Sequence, residues 1–380
     1  MRFSEAVSDL FSRSSGKEPG VDAAREALRE LGNPEQSLSV ILVGGTNGKG
    51  STASMIDEML RSQGFRVGLF RSPHVDTVRE RIKVDGEMIS RESFLKLYQK
   101  LENSCRELSF FQFLTVMAYT FFRRQQVEYA VMEVGMGGRL DATNAVNPEL
   151  SVITGLGADH TEYLGEKPEE IARELCGIIS DSVVIGGDNE ELLSQARKAS
   201  ESLVVAEGLD TAGDRVVFEG KKIDTPSYSS FQAENLGTAV AALRELENVS
   251  QQTVASVEDL DLRARMEVVS ENPLEIHDGA HNPHAVKTVL GYLPDSFTCV
   301  FNASKTKDFE SMIGLLEEKV DYFYFTESDV KWASEDPEKL AQCCTASYQV
   351  IHHPVEALEA ARDREGPVLV TGSMYLIGSL

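Results

Sequence analysis

The apolar positions of this chain alternate between short unbroken β-branched runs and runs with helical spacing, and that alternation predicts an α/β fold. Val40-Ile41-Leu42-Val43 is the first such run. It enters a glycine-rich turn, after which Met55, Ile56, Met59 and Leu60 fall on one helical face that stops at Gly64. Arg66–Phe70 reads as a strand ending in Ser72-Pro73-His74, and Ile82–Ile89 as a hairpin whose Asp85-Gly86 suits a primed turn. Phe111–Arg123 is mostly apolar, the pattern of a buried helix. Strands are expected at Val127–Val134 and Leu150–Thr154, followed by the loops Gly135–Arg139 and Gly155–His160. Three strands thus end in polar, glycine-rich loops, where open α/β sheets place their ligands.

Helix Phe231–Leu246 leads into a polar stretch, after which the alternation restarts. Strands Leu274–His277, Phe297–Phe301, Tyr322–Phe325 and Val368–Thr371 are interleaved with helices His284–Leu290, Phe309–Glu318 and Val355–Arg364. The expected organisation is a phosphate-loop domain with a mostly parallel sheet over residues 1–250. A linker over 251–262 and a second, smaller α/β domain over 263–380 complete it.

The turn after the first strand carries the most chemistry. Thr46, Asn47, Gly48, Lys49, Gly50, Ser51 and Thr52 join a glycine turn to a helix start, where backbone N–H groups and the helix dipole favour a polyphosphate. Lys49 would reach the outer phosphates, and Ser51 or Thr52 would hold Mg²⁺. The common spacing G-x-x-x-x-G-K-[ST] is missed by one residue, because Gly50 separates Lys49 from Ser51.

Glu133 lies inside the apolar run Ala130–Val134, so its carboxylate should be buried and needs a partner. A bound Mg²⁺ would supply one, and an ion pair with an arginine such as Arg139 is the alternative. Ser72-Pro73-His74 alone is a proline-fixed turn, and His160 alone is a structural histidine at a strand end. In the second domain, Asp278-Gly279-Ala280-His281-Asn282-Pro283 gathers acid, imidazole and amide groups, with Asn282 also placed to cap a helix.

Composition narrows the partners. Lysine and arginine total 37 against 61 acidic residues, a formal net charge of −24, which argues against a nucleic-acid surface. An anionic substrate must therefore meet local arginines, backbone donors or metal, and the acidity itself fits adaptation to high salt. No apolar run is long enough to span a bilayer, and Met1-Arg2-Phe3-Ser4-Glu5 lacks a signal-peptide core. The five cysteines are scattered without C-x-x-C spacing, which fits a reducing cytoplasm.

Taken together and in order, these segments resemble the folylpolyglutamate synthase/dihydrofolate synthase family of the Mur-ligase superfamily. The resemblance runs from Leu31-Gly32-Asn33-Pro34 to Thr371–Gly378. It includes Gly45-Thr46-Asn47-Gly48-Lys49-Gly50-Ser51, Ser72-Pro73-His74 with Glu80-Arg81-Ile82, Glu133–Asn144 and Asp278–Pro283. It implies an ATP-dependent ligase that joins L-glutamate to a folate or pterin carboxylate through an acyl phosphate; membrane and nucleic acid are not expected among its partners, from the charge and the apolar runs above. ATP and Mg²⁺ are the implied co-substrate and metal, and a monomer is the family's usual state.

By the same resemblance Lys49, Glu133 and His160 are the catalytic candidates. Ser51, Ser72, Glu133 and His160 are the candidate metal ligands, and Asn235, Arg265, Asp278 and His281 join the glycine loop in binding ATP between the domains. Arg263-Ala264-Arg265 stands where the family has Pro-Gly-Arg. The family's Glu-Lys-Ala-Gly-Ile appears as Glu174-Leu175-Cys176-Gly177-Ile178, so the lysine that relatives carbamylate to hold a second Mg²⁺ is absent. The pterin-side segment is represented only by Ser12–Gly20. A Mur-type ligase acting on another cofactor or cell-envelope carboxylate, and a nucleotide-binding regulator with impaired catalysis, are the alternative readings.

Overall fold

The structure is a computed structural model of residues 1–380. It describes the chain apart from residues 14–19, 158, 160, 166, 207, 208, 213, 214 and 226–229. The chain divides into two compact units. Of the described residues, the first comprises those of Met1–Pro73, Thr77–Thr225 and Ser230–Leu260, and the second those of His74–Asp76 and Asp261–Leu380. Within the stretch expected as a linker, Gln251–Ala255 form a helix of the first unit, capped by the Ser250 hydroxyl.

Strands of the first unit are β1 (Ser39–Gly44), β2 (Val67–Phe70), β3 (Ile82–Val84), β4 (Glu87–Met88), β5 (Tyr129–Glu133), β6 (Leu150–Ile153), β7 (Ser182–Gly186) and β8 (Ser202–Ala206). They form one sheet in the order β4-β3-β2-β5-β1-β6-β7-β8. Pairing is parallel from β2 to β8, and β3 and β4 are antiparallel at one edge. Asp85 and Gly86 both have positive φ, the signature of the primed turn expected at this hairpin.

The interior strands β1, β2, β5 and β6 have almost wholly buried, largely apolar sequences because both faces of a parallel sheet are covered. Helix Lys49–Ser62 lays Met55, Ile56, Met59 and Leu60 against it, each fully buried. Each such side chain contributes about 1.5–3 kcal/mol, an upper estimate because the unfolded chain already hides some area. Helix Phe110–Gln125 buries Phe113, Leu114, Met117 and Phe122, as its apolar circumference requires.

Besides β7 and β8 of the large sheet, three further strands were not expected from the sequence: β9 (Asp210–Ala212), β10 (Arg215–Phe218) and β11 (Lys221–Asp224). They form a small antiparallel sheet in the order β11-β10-β9. Val216 and Phe218 are buried on one face, with the half-buried Val217 between them, a run too short to announce a strand against its charged surroundings.

The second unit holds β12 (Glu267–Glu271), β13 (Leu274–Asp278), β14 (Phe297–Phe301), β15 (Val320–Phe325), β16 (Ser347–Val350) and β17 (Val368–Thr371). Their order is β12-β13-β17-β14-β15-β16, parallel except for the β12–β13 pair. This is the smaller α/β domain expected, with an antiparallel edge strand and the exposed β16 added.

Candidate active site

The site is built by strand order. β5, β1 and β6 are adjacent and parallel, so the loops after all three leave from one sheet edge. Register is direct: Val43 lies beside Glu133 on one side and beside Val152 on the other.

After β1 the glycine loop turns sharply. Gly45 has φ +126° and Gly48 has φ +81°, backbone conformations that favour glycine. The space around them is also taken. A Cβ at Gly45 would strike Thr154 Oγ1, and one at Gly48 would strike the Asn235 side-chain oxygen. Asn235, on helix Ser230–Arg244, is therefore packed onto the loop, and its Nδ2 donates to Gln232 Oε1 at 3.0 Å.

Hydrogen bonds tie the loop to the one after β6. The Thr46 hydroxyl donates to Gly157 O at 3.0 Å, and Gly157 N–H donates to the same hydroxyl at 2.9 Å. Thr46 N–H donates to Gly155 O at 3.1 Å, and the Thr154 hydroxyl donates to Asn47 O at 2.5 Å. Lys49 Nζ donates to Gly45 O at 2.8 Å and to Thr46 O at 3.0 Å. Its ammonium is thus held at the loop, beside the helix N-terminus where Gly50, Ser51 and Thr52 begin the first turn. Ser51 and Thr52 are both buried, and Thr52 Oγ1 has no hydrogen-bond partner among the described residues.

Glu133 ends β5 and is 2% exposed as a residue. Its Oε2 accepts from Ser72 N–H at 2.8 Å, which brings two of the expected metal ligands together. Arg139, the alternative partner for Glu133, is instead paired with Glu174 at 2.8 Å. Glu174 is therefore already engaged, and the neighbouring Leu175 is buried in the hydrophobic core. Among the described residues no cluster of three histidine, cysteine or acidic side chains could hold a metal. A buried carboxylate at a strand end is a hard-oxygen donor of the kind that suits Mg²⁺, which keeps several waters. His160 lies outside the described residues.

Two supporting residues had little signal in the sequence. Arg71, at the end of β2, buries its guanidinium and donates to the Ser54 hydroxyl at 2.7 Å, which donates to Gly50 O at 2.7 Å. It braces the first turn behind the phosphate loop. Asp141 accepts from Met136 N–H at 3.0 Å, Thr143 N–H at 2.9 Å and the Thr143 hydroxyl at 2.6 Å, so it shapes the loop after β5. Burial raises its pKa, opposed by these hydrogen bonds.

In the second unit Asp278 ends β13 and is buried. Its two oxygens accept from Met266 N–H at 2.7 Å and Ala280 N–H at 2.8 Å. Burial pushes its pKa to about 6, opposed by those two N–H groups and the Arg265 charge. Arg265 sits between Ala264 and Met266, both with positive φ, and its buried Nε has no partner among the described residues. Asp278 thus holds the turn that carries Arg265. His281 Nδ1 lies 2.8 Å from Gly279 O, and Asn282 caps helix Pro283–Leu290 through Ala285 N–H at 2.8 Å.

The chain matches known proteins along most of its length. The Mur ligase middle domain profile matches residues 43–243, and the Mur ligase, glutamate ligase domain profile matches residues 264–374. The dihydrofolate synthase/folylpolyglutamate synthase of Bacillus subtilis is 30% identical over 96% of this chain and 95% of its own length. The chain belongs to the folylpolyglutamate synthase/dihydrofolate synthase family of Mur ligases. A second relative of this family, a "Probable bifunctional folylpolyglutamate synthase/dihydropteroate synthase" of Haloferax volcanii, is 33% identical over 99% of this chain. The chain spans about half of that relative's length, 50%. The structure of Escherichia coli FolC in complex with DHPP and ADP superposes with a TM-score of 0.89 at 26% identity, covering 100% of this chain and 96% of that one. Among the described residues of this family member, no helix is long and apolar enough to cross a membrane.

Proposed function

We propose that this chain is an ADP-forming amide ligase that adds L-glutamate to a folate-type carboxylate, either a dihydropteroate or a tetrahydrofolate. The observation that carries the reading is the meeting, at one sheet edge, of the phosphate loop after β1 and the Ser72–Glu133 pair beside it. FolC of Escherichia coli, bound to DHPP and ADP, supports it by likeness.

In the proposed reaction an oxygen of the substrate carboxylate attacks the γ-phosphorus of ATP, and the bond to the bridging oxygen breaks to release ADP. The glutamate amine then attacks the acyl carbon, phosphate leaves, and the amine proton is lost as the amide forms. Both reacting partners are anionic, so positive charge must be in place before they meet. Lys49 and the N–H groups of the loop and first helical turn supply it for the phosphates. Gly48 allows close backbone approach, and Asn235 fixes the loop's shape. Ser51, Ser72 and Glu133 would hold Mg²⁺, which when bound would neutralise charge on the transferring phosphate. Arg265, Asp278 and His281 are assigned to nucleotide binding by resemblance, with Asp278 shaping the turn that carries Arg265.

The buried Leu175 favours a second reading, a nucleotide-binding regulator without ligase turnover. The two part in one assay: ADP release with ATP, Mg²⁺, L-glutamate and either dihydropteroate or tetrahydrofolate. ADP formed only with both co-substrates supports the ligase, whereas nucleotide binding without turnover supports the regulator. We place the protein in the cytoplasm as a monomer, expectations checked by fractionation and by light scattering.

A further inference from the structure

Arg265 stands in a backbone turn that needs support. Ala264 has φ +58° and Met266 has φ +54°, so the residues on both sides of Arg265 lie in the left-handed region that residues with side chains rarely adopt. Such conformations persist only where the surroundings over-determine them. Within the second unit every peptide of the turn is held. Met266 N–H donates to Asp278 Oδ2 at 2.7 Å, and Arg265 N–H donates to Leu262 O at 3.2 Å. Ala264 N–H donates to Glu267 Oε2 at 2.8 Å, and Ala264 O accepts from Gly279 N–H at 2.8 Å. The N–H groups of the two left-handed residues thus end on two carboxylates, Glu267 and Asp278.

Glu267, the first residue of β12, is itself anchored. Its Oε1 lies 3.2 Å from Arg263 Nε, and Arg263 Nη1 donates to Asp76 Oδ2 at 3.0 Å, all within the second unit. Ala264 is 1% exposed and packs in a core cluster with Val75, Met374 and Ile377. Packing therefore favours alanine at a position where the backbone favours glycine, and the bond to Glu267 offsets the difference. The buried Nε of Arg265 has no partner among the described residues, a donor that an anion would satisfy.

We infer that Glu267 is a positioning residue, which holds Ala264 in its left-handed conformation and thereby directs Arg265 to the nucleotide phosphates. The inference rests on the proposed assignment of Arg265 to nucleotide binding.

The test is titration calorimetry of the full chain and its variants with ATP and Mg²⁺, without glutamate or acceptor. Arg265→Ala should weaken binding about tenfold. Glu267→Met, close in length but without an acceptor, should weaken it about fivefold, and Glu267→Gln, which keeps an acceptor oxygen, by no more than about twofold. The double variant Arg265→Ala/Glu267→Met should bind no more weakly than Arg265→Ala alone, a result that a merely structural role would not give. Adding Ala264→Gly to Glu267→Met should restore most of the affinity, because glycine takes a positive φ unaided. Circular dichroism establishes that each variant is folded, and Glu267→Ala replaces Glu267→Met if the latter is not. Additive losses in the double variant, no recovery with Ala264→Gly, or unchanged binding in Glu267→Met beside a weakened Arg265→Ala would overturn the inference alone. Undiminished binding in Arg265→Ala, or no binding by the unaltered chain, would overturn the nucleotide assignment and the inference with it.

Discussion

Gly48→Ala tests the geometry of the phosphate loop most sharply. Two separate costs follow from the structure. Alanine at φ +81° is forced into the left-handed region, at about 1–2 kcal/mol. The added Cβ also strikes the Asn235 side-chain oxygen, and overpacking of this kind costs about 1–3 kcal/mol. The single substitution should therefore destabilise the first unit by about 2–5 kcal/mol. Asn235→Ala alone removes the hydrogen bond to Gln232 and should cost about 1–3 kcal/mol. In the double variant the collision disappears while the backbone strain stays. A double-mutant cycle by calorimetry should then show a favourable coupling of about 1–3 kcal/mol. The KM for ATP should rise in Gly48→Ala and recover only in part in the double variant. Strict additivity within about 0.5 kcal/mol would refute the claim that Asn235 packs onto Gly48.

Other outcomes follow from the same structure. Lys49→Ala should keep the fold by circular dichroism and lose ATP turnover by about a hundredfold or more, since its ammonium sits at the loop. Glu133→Gln keeps an acceptor for Ser72 N–H but removes the charge, so the Mg²⁺ concentration for half-maximal rate should rise and kcat fall by about a hundredfold. Because Leu175 is buried and Glu174 is paired with Arg139, the rate should be the same with and without added bicarbonate, measured in degassed buffer. Burial pushes Asp57 from 3.8 to about 6, opposed by Arg61 and Lys83 and reinforced by Glu58. A raised acid binds its proton more tightly when folded. Its contribution is therefore present below pH 3.8 and is lost as pH rises through about 6. The thermal midpoint of Asp57→Asn should lack that component, on the order of 3 kcal/mol, when compared with the unaltered chain across this window.

Legibility from sequence tracked burial. β1, β5 and β6, and the helices Lys49–Ser62 and Phe110–Gln125, are covered by apolar residues in clear periods, and each lies within a few residues of its expected place. The short, half-exposed strands had no such pattern. β12 and β16 alternate weakly, and β9–β11 are charged hairpin strands whose pairing depends on neighbours distant from a local reading. At the site, the glycines announced a sharp turn after β1, because Gly45 and Gly48 take positive φ there. Arg71 was illegible because an arginine before Ser72 says nothing about Ser54, which only the fold brings within reach. Asp278 was read as a ligand, and the structure adds its hold on the Arg265 turn, a contact made across the β12–β13 connection. Leu175 was conspicuous as a departure, but only its place in the core explains why it cannot be exchanged for a charged ligand without cost.

The proposed acyl phosphate can be followed by isotope. The acceptor, dihydropteroate or tetrahydrofolate, is prepared with oxygen-18 in the reacting carboxylate and incubated with ATP, Mg²⁺ and L-glutamate. Mass spectrometry of the released phosphate should then find one labelled oxygen, in step with ADP and the glutamyl product, because carboxylate oxygen bridges to phosphorus before the amine displaces it. Unlabelled phosphate accompanying ADP, with no glutamyl product, would contradict the account.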